Sequence, residues 1–333
     1  MNCWNRYGQK APRGLFRSMR ILITGGMGFV GGRLAAHLQQ VGHQIVLGSR
    51  NTGSPPNWLF QAEMVQINWK DDLALEQSCK GIDVVIQAAG MNAQDCAANP
   101  VAALEFNGLA TARLVAAASC AGVQRFIYLS TAHVYASPLV GTITEETCPL
   151  NLHPYATSHL AGEHTVLNAS ERGQIQGIVL RLSNAFGAPM HQGVNCWMLL
   201  VNDLCRQAVE TRKLVLRTSG LQQRDFVGMT EVCYVAERLA SCNFATLRSS
   251  VFNVGAGVSQ SVLEMARLIQ RRSHQILGYE PVLQRPGGGA NGSHERLTYW
   301  AVNLEEMGFN IGVDSTAEID RLLMFCQSSF NQV

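Results

Sequence analysis

Three glycines near the start of the chain have a spacing that suits phosphate chemistry. Gly25, Gly28 and Gly31 lie between an apolar run at 21–23, which predicts a strand, and a helix-like run at 33–38. Glycine lets the backbone turn sharply and come close to a pyrophosphate, while N–H groups at the start of the helix point at it. The segment therefore predicts a dinucleotide-binding turn. A tight strand–helix turn without a ligand is the alternative.

The elements that would position such a site alternate through the first half of the chain. Short apolar runs predict strands at 20–24, 44–48, 64–67, 83–87, 125–129 and 177–182. One helix-like run follows the first strand and ends at about residue 41, and others cover 72–80, 98–121 and 155–170. This alternation predicts an α/β fold with a Rossmann-type, doubly wound parallel sheet, whose carboxyl strand ends form the nucleotide crevice.

The pattern loosens after residue 184. Helices are predicted at 194–210, 230–241 and 260–272, and short strands at 214–216 and 251–254. A glycine-rich loop follows at 286–292. We divide the chain into an N-terminal extension at 1–18, a nucleotide-binding domain at 19–184 and a smaller, mainly substrate-binding lobe at 185–333. The lobe is expected to close over the crevice and to return some segments to the first domain.

The extension at 1–18 is basic and is expected to be disordered. It contains Arg6, Lys10, Arg13 and Arg17 and no acidic residue. An upstream start codon, with the fold beginning near Met19, is favoured over an Arg-rich targeting peptide.

The composition disfavours several classes of protein. The 333 residues are 47% hydrophobic and 15% charged, with a formal net charge of +2. This near-neutral balance argues against a nucleic-acid partner. No apolar stretch is judged long enough to span a membrane, so no membrane partner is expected. Ten scattered cysteines without a C-x-x-C pair indicate reduced thiols, a cytoplasmic location and no metal site.

A set of motifs in collinear order resembles the extended short-chain dehydrogenases/reductases, the family of nucleotide-sugar epimerases, dehydratases and ketoreductases. The motifs lie at 24–31, 88–90, 107, 129–135, 154–158, 181–187, 223–227 and 252–255. Each is modest alone, but together they are specific and cover roughly residues 19–325. The resemblance implies a Rossmann fold and a nicotinamide cofactor that carries a hydride.

The resemblance also implies roles for individual residues. In the family a tyrosine exchanges a proton with the substrate oxygen, and a serine or threonine hydrogen-bonds the same oxygen. By motif these are Tyr155 and Thr131, and Asn107 matches the helix asparagine that helps hold the geometry and water of the site. A surface helix tyrosine is the alternative for Tyr155. Cofactor contacts are implied for Gly25, Gly28, Phe29, Val30, Ala88, Ala89, Gly90 and Tyr155.

Residue 159 departs from the family pattern. Relatives carry a lysine four residues after the tyrosine, where this chain has His159, on the same helix face as Tyr155 and toward the cofactor. The family lysine hydrogen-bonds the nicotinamide ribose and lowers the tyrosine pKa from about 10. Histidine is shorter and largely neutral at pH 7. Three hypotheses follow: His159 substitutes for the lysine as a ribose donor or partial cation, the site is slow, or the chain is a cofactor-binding regulator.

The segments that would hold the rest of the cofactor favour NADP(H), with NAD as the alternative. NAD-preferring relatives place an acidic residue at the end of the second strand, where this chain has Ser49 and Arg50. Arg50 can pair with a 2′-phosphate and Ser49 can donate a hydrogen bond to it; a solvated Arg50 stacking on adenine is the alternative. Asn68 is predicted to hydrogen-bond the adenine. Trp69 lies beside the adenine or packs in the core.

By the same resemblance, three residues of the second half bind the substrate. Asn184 matches an asparagine near the diphosphate, Arg224 an arginine that reaches nucleotide phosphates, and Arg285 an arginine at the nucleoside end. The two arginines would give a pyrophosphate two cations. Gly288 stands where relatives carry a ribose-binding aspartate, which leaves the nucleoside open.

These expectations predict an NADP(H)-dependent oxidoreductase or epimerase that acts on a nucleotide-activated sugar, with Tyr155 as the acid/base. Dehydration is disfavoured because Ala132 and His133 replace the Asp-Glu pair of the dehydratases. A catalytically impaired regulatory relative and a reductase of a non-sugar carbonyl are the alternatives; the latter needs an apolar pocket in place of Arg224 and Arg285.

The resemblance also implies a homodimer, in which the helix at 98–121 and the tyrosine helix pack against their symmetry mates. Small residues would allow this close approach. They are Ala116, Ala117, Ala118, Ala161 and Gly162.

Overall fold

The computed structural model describes residues 18–51, 53–286, 296–312 and 315–330. Most of the N-terminal extension, up to residue 17, and Gly288 of the glycine-rich loop lie outside these residues. The expectations for both therefore stay predictions.

Strands and helices alternate along the described residues. The strands are β1 (Arg20–Thr24), β2 (Gln44–Ser49), β3 (Glu63–Gln66), β4 (Val84–Gln87), β5 (Arg125–Thr131), β6 (Gly141–Ile143), β7 (Gln176–Leu182), β8 (Asn184–Phe186), β9 (Lys213–Val215), β10 (Gln223–Gly228), β11 (Val251–Val254), β12 (Ser259–Ser261), β13 (Val282–Gln284) and β14 (Leu297–Tyr299). The helices are α1 (Phe29–Gln40), α2 (Asp72–Ser78), α3 (Ala93–Ala98), α4 (Pro100–Ala103), α5 (Ala110–Cys120), α6 (Pro154–Glu171), α7 (Leu200–Thr211), α8 (Met229–Ser241), α9 (Val262–Leu277), α10 (Val302–Glu306) and α11 (Thr316–Phe330). A π-helical segment lies at Leu104–Leu109, and short 3₁₀ turns lie at Asn57–Leu59, Ala132–Val134 and Phe244–Thr246.

Seven strands form one parallel sheet in the order β11-β7-β5-β4-β1-β2-β3. Apolar clusters cover both faces of the sheet, and β5 is buried along its whole length. The predicted doubly wound fold is therefore confirmed. The strand order reverses between β1 and β4, and open α/β sheets bind ligands outside the carboxyl ends of the strands at such a point.

The second half of the chain builds a smaller core of its own. Strands β8, β10 and β12 form a three-stranded sheet, and α7, α9 and α11 share an apolar cluster with it. Two strands of the second half pair with strands of the first: β11 joins the main sheet, and β14 pairs with β6. A partly buried ion pair of 2.8 Å between Arg33 of α1 and Glu318 of α11 adds a polar link. The domain boundary at residue 184 stays a prediction.

The helix predicted at 98–121 is interrupted. The π-helical segment separates α4 from α5, and it contains Asn107. Such segments often occur at functional sites because they redirect a side chain within a helix. The sequence pattern missed this interruption, since apolar periodicity does not distinguish a single π turn from an α-helix.

The same run, Pro100–Cys120, is 21 residues long and apolar enough to cross a membrane by length and composition. The expectation that no stretch meets those two criteria is therefore wrong. Half of its most apolar window is buried inside the protein, and core helices of soluble proteins pass the same test. The absence of a membrane partner stays a prediction.

Candidate active site

The glycine turn has the close approaches that a phosphate-binding turn requires. Gly25 has φ +66°, and a Cβ there would lie 2.7 Å from the Ala89 nitrogen. A Cβ on Gly31 would collide with the Gly25 carbonyl oxygen. Gly28 begins α1 without a side-chain cap, so no side chain blocks the first N–H groups of that helix. The backbone therefore fits the pyrophosphate of a dinucleotide.

The structure brings most of the predicted cofactor residues to this turn. Gly28, Phe29 and Val30 form the start of α1, and Ala88, Ala89 and Gly90 follow β4, the neighbour of β1 at the strand-order reversal. Ala88 N donates to the carbonyl oxygen of Thr24 at 3.2 Å, which holds the two segments together.

Thr131 and Tyr155 meet where β5 ends and α6 begins. Thr131 is the last residue of β5 and is buried. Tyr155 is in the first turn of α6, which begins with Pro154, and its N–H donates to the ring of the capping residue His153 at 3.2 Å. The Thr131 side chain lies close enough to the Tyr155 phenol to lower its pKa. The structure therefore brings the phenol and the hydroxyl together, and their catalytic pairing stays a prediction.

His159 lies one turn further along α6, packed against Tyr155. The ring centroids are 4.6 Å apart in an edge-to-face arrangement, and His159 is only 6% exposed. A Cβ built on Gly90 would lie 3.8 Å from His159 Nε2. His159 therefore reaches the turn after β4, on the face of α6 that its spacing predicts.

Asn107 connects three segments of the site. Its Oδ1 accepts from Met91 N at 2.9 Å, and its Nδ2 donates to the Ser158 hydroxyl at 3.0 Å. The main-chain carbonyl oxygen of Asn107 accepts from the Thr111 hydroxyl at 2.8 Å, which is a contact within the same helical run. The side chain is thus fully occupied in holding the loop after β4 against α6.

Burial controls the electrostatics of the site. It raises the pKa of Tyr155 above its usual value, and the nearby Thr131 side chain only partly offsets that rise. Burial also lowers the pKa of His159 to about 4. Among the described residues, no positive side chain offsets the rise at Tyr155 and no negative side chain offsets the fall at His159. His159 is therefore neutral at pH 7, which favours the ribose-donor form of the substitute hypothesis over the partial cation.

The predicted adenine-end residues have different surroundings. Arg50 is exposed, and among the described residues its guanidinium makes no ion pair; Ser49 Oγ accepts from Asn51 N at 3.2 Å. Asn68 is exposed and accepts from Lys70 N. Trp69 packs edge-to-face on Phe106 at 5.5 Å and belongs to the apolar cluster of one sheet face. Trp69 thus packs against the core, and its contact with adenine stays a prediction.

The predicted substrate residues all lie in the second half of the chain, and they differ in how far other protein groups already bind their side chains. The Asn184 amide donates to the carbonyl oxygen of Asp225 at 2.8 Å and so bridges β8 and β10. Arg285 is exposed and donates to the Ser219 carbonyl oxygen at 3.1 Å. Burial lowers the pKa of Arg224, which lies on β10, and the described residues offer it no ion pair. Arg224 is therefore the residue of this set best placed to gain an anionic partner.

Sequence reasoning missed two residues that contact His159 or its neighbours. Tyr128 on β5 lies 2.9 Å from His159 Nδ1, and Ser158 joins Asn107 to the Tyr155 carbonyl. A tyrosine within the apolar run 126–129 of a buried strand signals a buried polar partner, since its hydroxyl needs one.

Three of the small residues predicted for a dimer contact pack inside the chain. A Cβ on Gly162 would lie 2.6 Å from the Tyr128 hydroxyl, and Ala117 and Ala118 are buried. The prediction is wrong for these three residues because the close helix approach that they allow is within one chain. Ala116 is exposed and Ala161 is half-buried.

Comparison with known proteins agrees with this fold. The sequence model of the NAD dependent epimerase/dehydratase family matches residues 21–255, more than half of the chain. The chain therefore belongs to this family of enzymes, and its resemblance to the extended short-chain dehydrogenases/reductases is confirmed.

Individual relatives share most of the chain. It is 30% identical over 259 residues to dTDP-6-deoxy-L-talose 4-dehydrogenase (NAD(P)(+)) of Kitasatospora kifunensis, covering 76% of this chain and 79% of the relative. Two solved structures share the fold: MoeE5 in complex with UDP-glucose and NAD, and UDP-N-acetylglucosamine 4-epimerase from Methanobrevibacter ruminantium M1. Their TM-scores are 0.74 and 0.77 at 24% and 20% identity, and each match covers 93% of this chain and 99% of the other.

Proposed function

We propose that this protein is an NADP(H)-dependent oxidoreductase or epimerase that acts on a nucleotide-activated sugar. The observation that carries the proposal is the meeting of Thr131, Tyr155 and His159 beside Gly90, at the strand-order reversal of a dinucleotide fold. Relatives named for nucleotide sugars support the substrate class.

The proton chemistry favours reduction of a keto sugar. A bound nicotinamide would supply or accept the hydride. Because burial raises the Tyr155 pKa, its phenol stays protonated at neutral pH and is ready to donate to a carbonyl oxygen. An epimerase must first remove a proton from a sugar hydroxyl, which requires the phenolate that burial disfavours. We therefore favour a ketoreductase over an epimerase.

The preference for NADP(H) rests on the end of β2. Arg50 is exposed and without an ion pair among the described residues. Ser49 Oγ accepts from Asn51 N, which leaves its hydroxyl hydrogen available for a phosphate oxygen. The Kitasatospora relative is named for both NAD and NADP. Calorimetric titration of both reduced cofactors is the test, and tighter binding of NADH would overturn this preference.

The decisive experiment combines NADPH with a panel of 4-keto and non-keto nucleotide sugars, including free carbonyl compounds without a nucleotide. Turnover of a nucleotide-linked ketone, lost in Tyr155→Phe, supports the proposal. Turnover of only the free carbonyl compounds would point to a non-sugar reductase and contradict it.

A cofactor-binding regulator is the second candidate, because no positive group of the described residues lowers the Tyr155 pKa. It predicts tight binding of the cofactor without turnover of any panel member. The same titration and panel therefore separate the two candidates.

We also propose a homodimer through the run Pro100–Cys120. Three large apolar side chains on it are exposed: Val101 by 67%, Leu104 by 49% and Leu109 by 52%. Exposed apolar side chains clustered along one element are typical of an interface. We expect Leu109→Glu to yield monomers in light-scattering chromatography, whereas Leu73→Glu, at a side chain of α2 that is 76% exposed, leaves a dimer. A monomeric parent protein would contradict the proposal.

A further inference from the structure

Tyr128 is a buried phenol that contacts His159 from strand β5. It lies on β5, is 1% exposed, and its hydroxyl is 2.9 Å from His159 Nδ1. The same hydroxyl is 3.4 Å from the carbonyl oxygen of Asn107. A phenol has one proton to donate, so these two contacts compete for it.

The geometry favours His159 as the acceptor. Its contact is the shorter one, 2.9 Å against 3.4 Å, and the Asn107 carbonyl oxygen does not depend on the Tyr128 proton because it also accepts from the Thr111 hydroxyl at 2.8 Å. Burial raises the pKa of Tyr128 well above its usual value, so the phenol keeps its proton. His159 is neutral, so one of its ring nitrogens is an acceptor. The Tyr128 hydroxyl therefore donates to Nδ1.

The other ring nitrogen faces the cofactor side. A Cβ on Gly90 would lie 3.7 Å from His159 Cε1 and 3.8 Å from Nε2, so this edge of the ring borders the turn after β4. When Nδ1 accepts, the single proton of the neutral ring is on Nε2. The ring then presents an N–H donor beside Gly90, where a lysine of the relatives would present an ammonium.

We propose that Tyr128 is a positioning residue that holds His159 in the tautomer with its proton on Nε2. A neutral histidine can then donate a hydrogen bond at the position of the family lysine. Gly162 makes this contact possible, because any Cβ there would lie 2.6 Å from the Tyr128 hydroxyl. The tautomer is assigned from the contacts of Tyr128 and His159, and only its catalytic consequence rests on the proposed function.

The tautomer can be measured directly, without activity. Long-range ¹⁵N–¹H spectra of the full-length protein labelled in histidine, assigned by loss of signals in His159→Gln, distinguish the two tautomers at about pH 7. We expect the Nε2-protonated form in the parent protein and a mixture, or the Nδ1-protonated form, in Tyr128→Phe. The matched control is Tyr299→Phe, which removes another fully buried hydroxyl that bonds Arg181 and Asn253 instead; it leaves the His159 signals unchanged. A parent protein with the proton on Nδ1 would overturn the proposal, as would an unchanged tautomer in Tyr128→Phe.

Activity gives a second readout if the proposed function holds. We expect Tyr128→Phe to lower kcat about tenfold, the effect of one hydrogen bond of roughly 1.4 kcal/mol, with little change in KM for the sugar. Adding His159→Lys should restore turnover to that of His159→Lys alone, because lysine needs no tautomer. A similar loss from Tyr128→Phe beside His159→Lys would assign Tyr128 a merely structural role. Absence of turnover in every variant contradicts the proposed function, whereas the spectra still decide the tautomer.

Discussion

The first turns of helix α6 and its middle differ in how they carry charge. Its first turns carry Tyr155 and His159, which are neutral at pH 7. One turn further, Glu163 is 0% exposed and forms an ion pair of 2.6 Å with the buried Arg181. Every oxygen of Glu163 has a partner, since Ser130 donates to Oε1 and Arg181 donates to both.

The difference follows from where the partners come from. A buried charge is tolerated when its own chain supplies an opposite charge and hydrogen bonds, as it does for Glu163 and Arg181. At the catalytic end, the groups that would complete the site come from outside the chain. Neutral side chains there avoid the cost of an unpaired buried charge in the free protein, and they do so at the expense of an activating cation for Tyr155.

The largest effect should come from removing the proton donor at the neutral end. Tyr155→Phe keeps the ring but loses the hydroxyl, so we expect turnover to fall on the order of 10²- to 10⁴-fold while cofactor affinity is nearly unchanged. Steady-state rates and fluorescence titration of the cofactor would measure this. A loss below about tenfold would remove Tyr155 from the proton transfer.

At Glu163, in the middle of α6, stability rather than chemistry should respond. Glu163→Gln leaves the buried Arg181 without its counter-charge, and we expect the free energy of unfolding to fall by about 3–5 kcal/mol. The control is Glu63→Gln, which breaks the exposed pair with Arg20 and should cost about 0–1 kcal/mol. Denaturant titrations compare them; equal losses would show that the buried network has no special role.

Placing a positive charge at residue 159 should change the pH dependence of the rate. In the alcohol-oxidising direction Tyr155 must be deprotonated, so its raised pKa makes the rate increase with pH into the alkaline range. His159→Lys favours the phenolate, so we expect the rise of the rate to occur at a pH lower by about one unit or more. Turnover of this variant should equal or exceed that of the parent protein.

His159→Ala is the companion variant and should lower turnover by removing the N–H donor. The measurement is the pH dependence of kcat for the parent and both variants. Equal rates for the parent and the alanine variant from about pH 6 to 9 would show that residue 159 has no catalytic role.

The smallest effect is expected outside the helix, at the cofactor's other end. Arg50→Ala should weaken NADPH binding about tenfold and change NADH binding less than about twofold, because only NADPH carries the 2′-phosphate. Arg271→Ala, an exposed arginine of α9, serves as the control. Equal weakening of both cofactors would indicate adenine stacking instead of phosphate recognition.

Local patterns in the sequence were sufficient to predict the backbone elements that surround the site. Alternating apolar runs predicted the parallel sheet, and the glycine spacing predicted a turn in which Gly25 and Gly31 leave no room for a Cβ. The interval of four residues predicted that His159 shares a helix face with Tyr155, as the ring contact shows. Each of these features depends on neighbours within a few residues, which the sequence displays directly.

The environment of that site depended on contacts between distant segments. Tyr128 meets His159 from a strand 31 residues away, and the π turn at Asn107 is satisfied by Met91 and Ser158. The sequence by itself determined which side chains are present and on which face of each element they lie. Only the tertiary structure decided their burial, and burial is what keeps Tyr155 and His159 neutral, since a charged group loses its solvation when packing removes water.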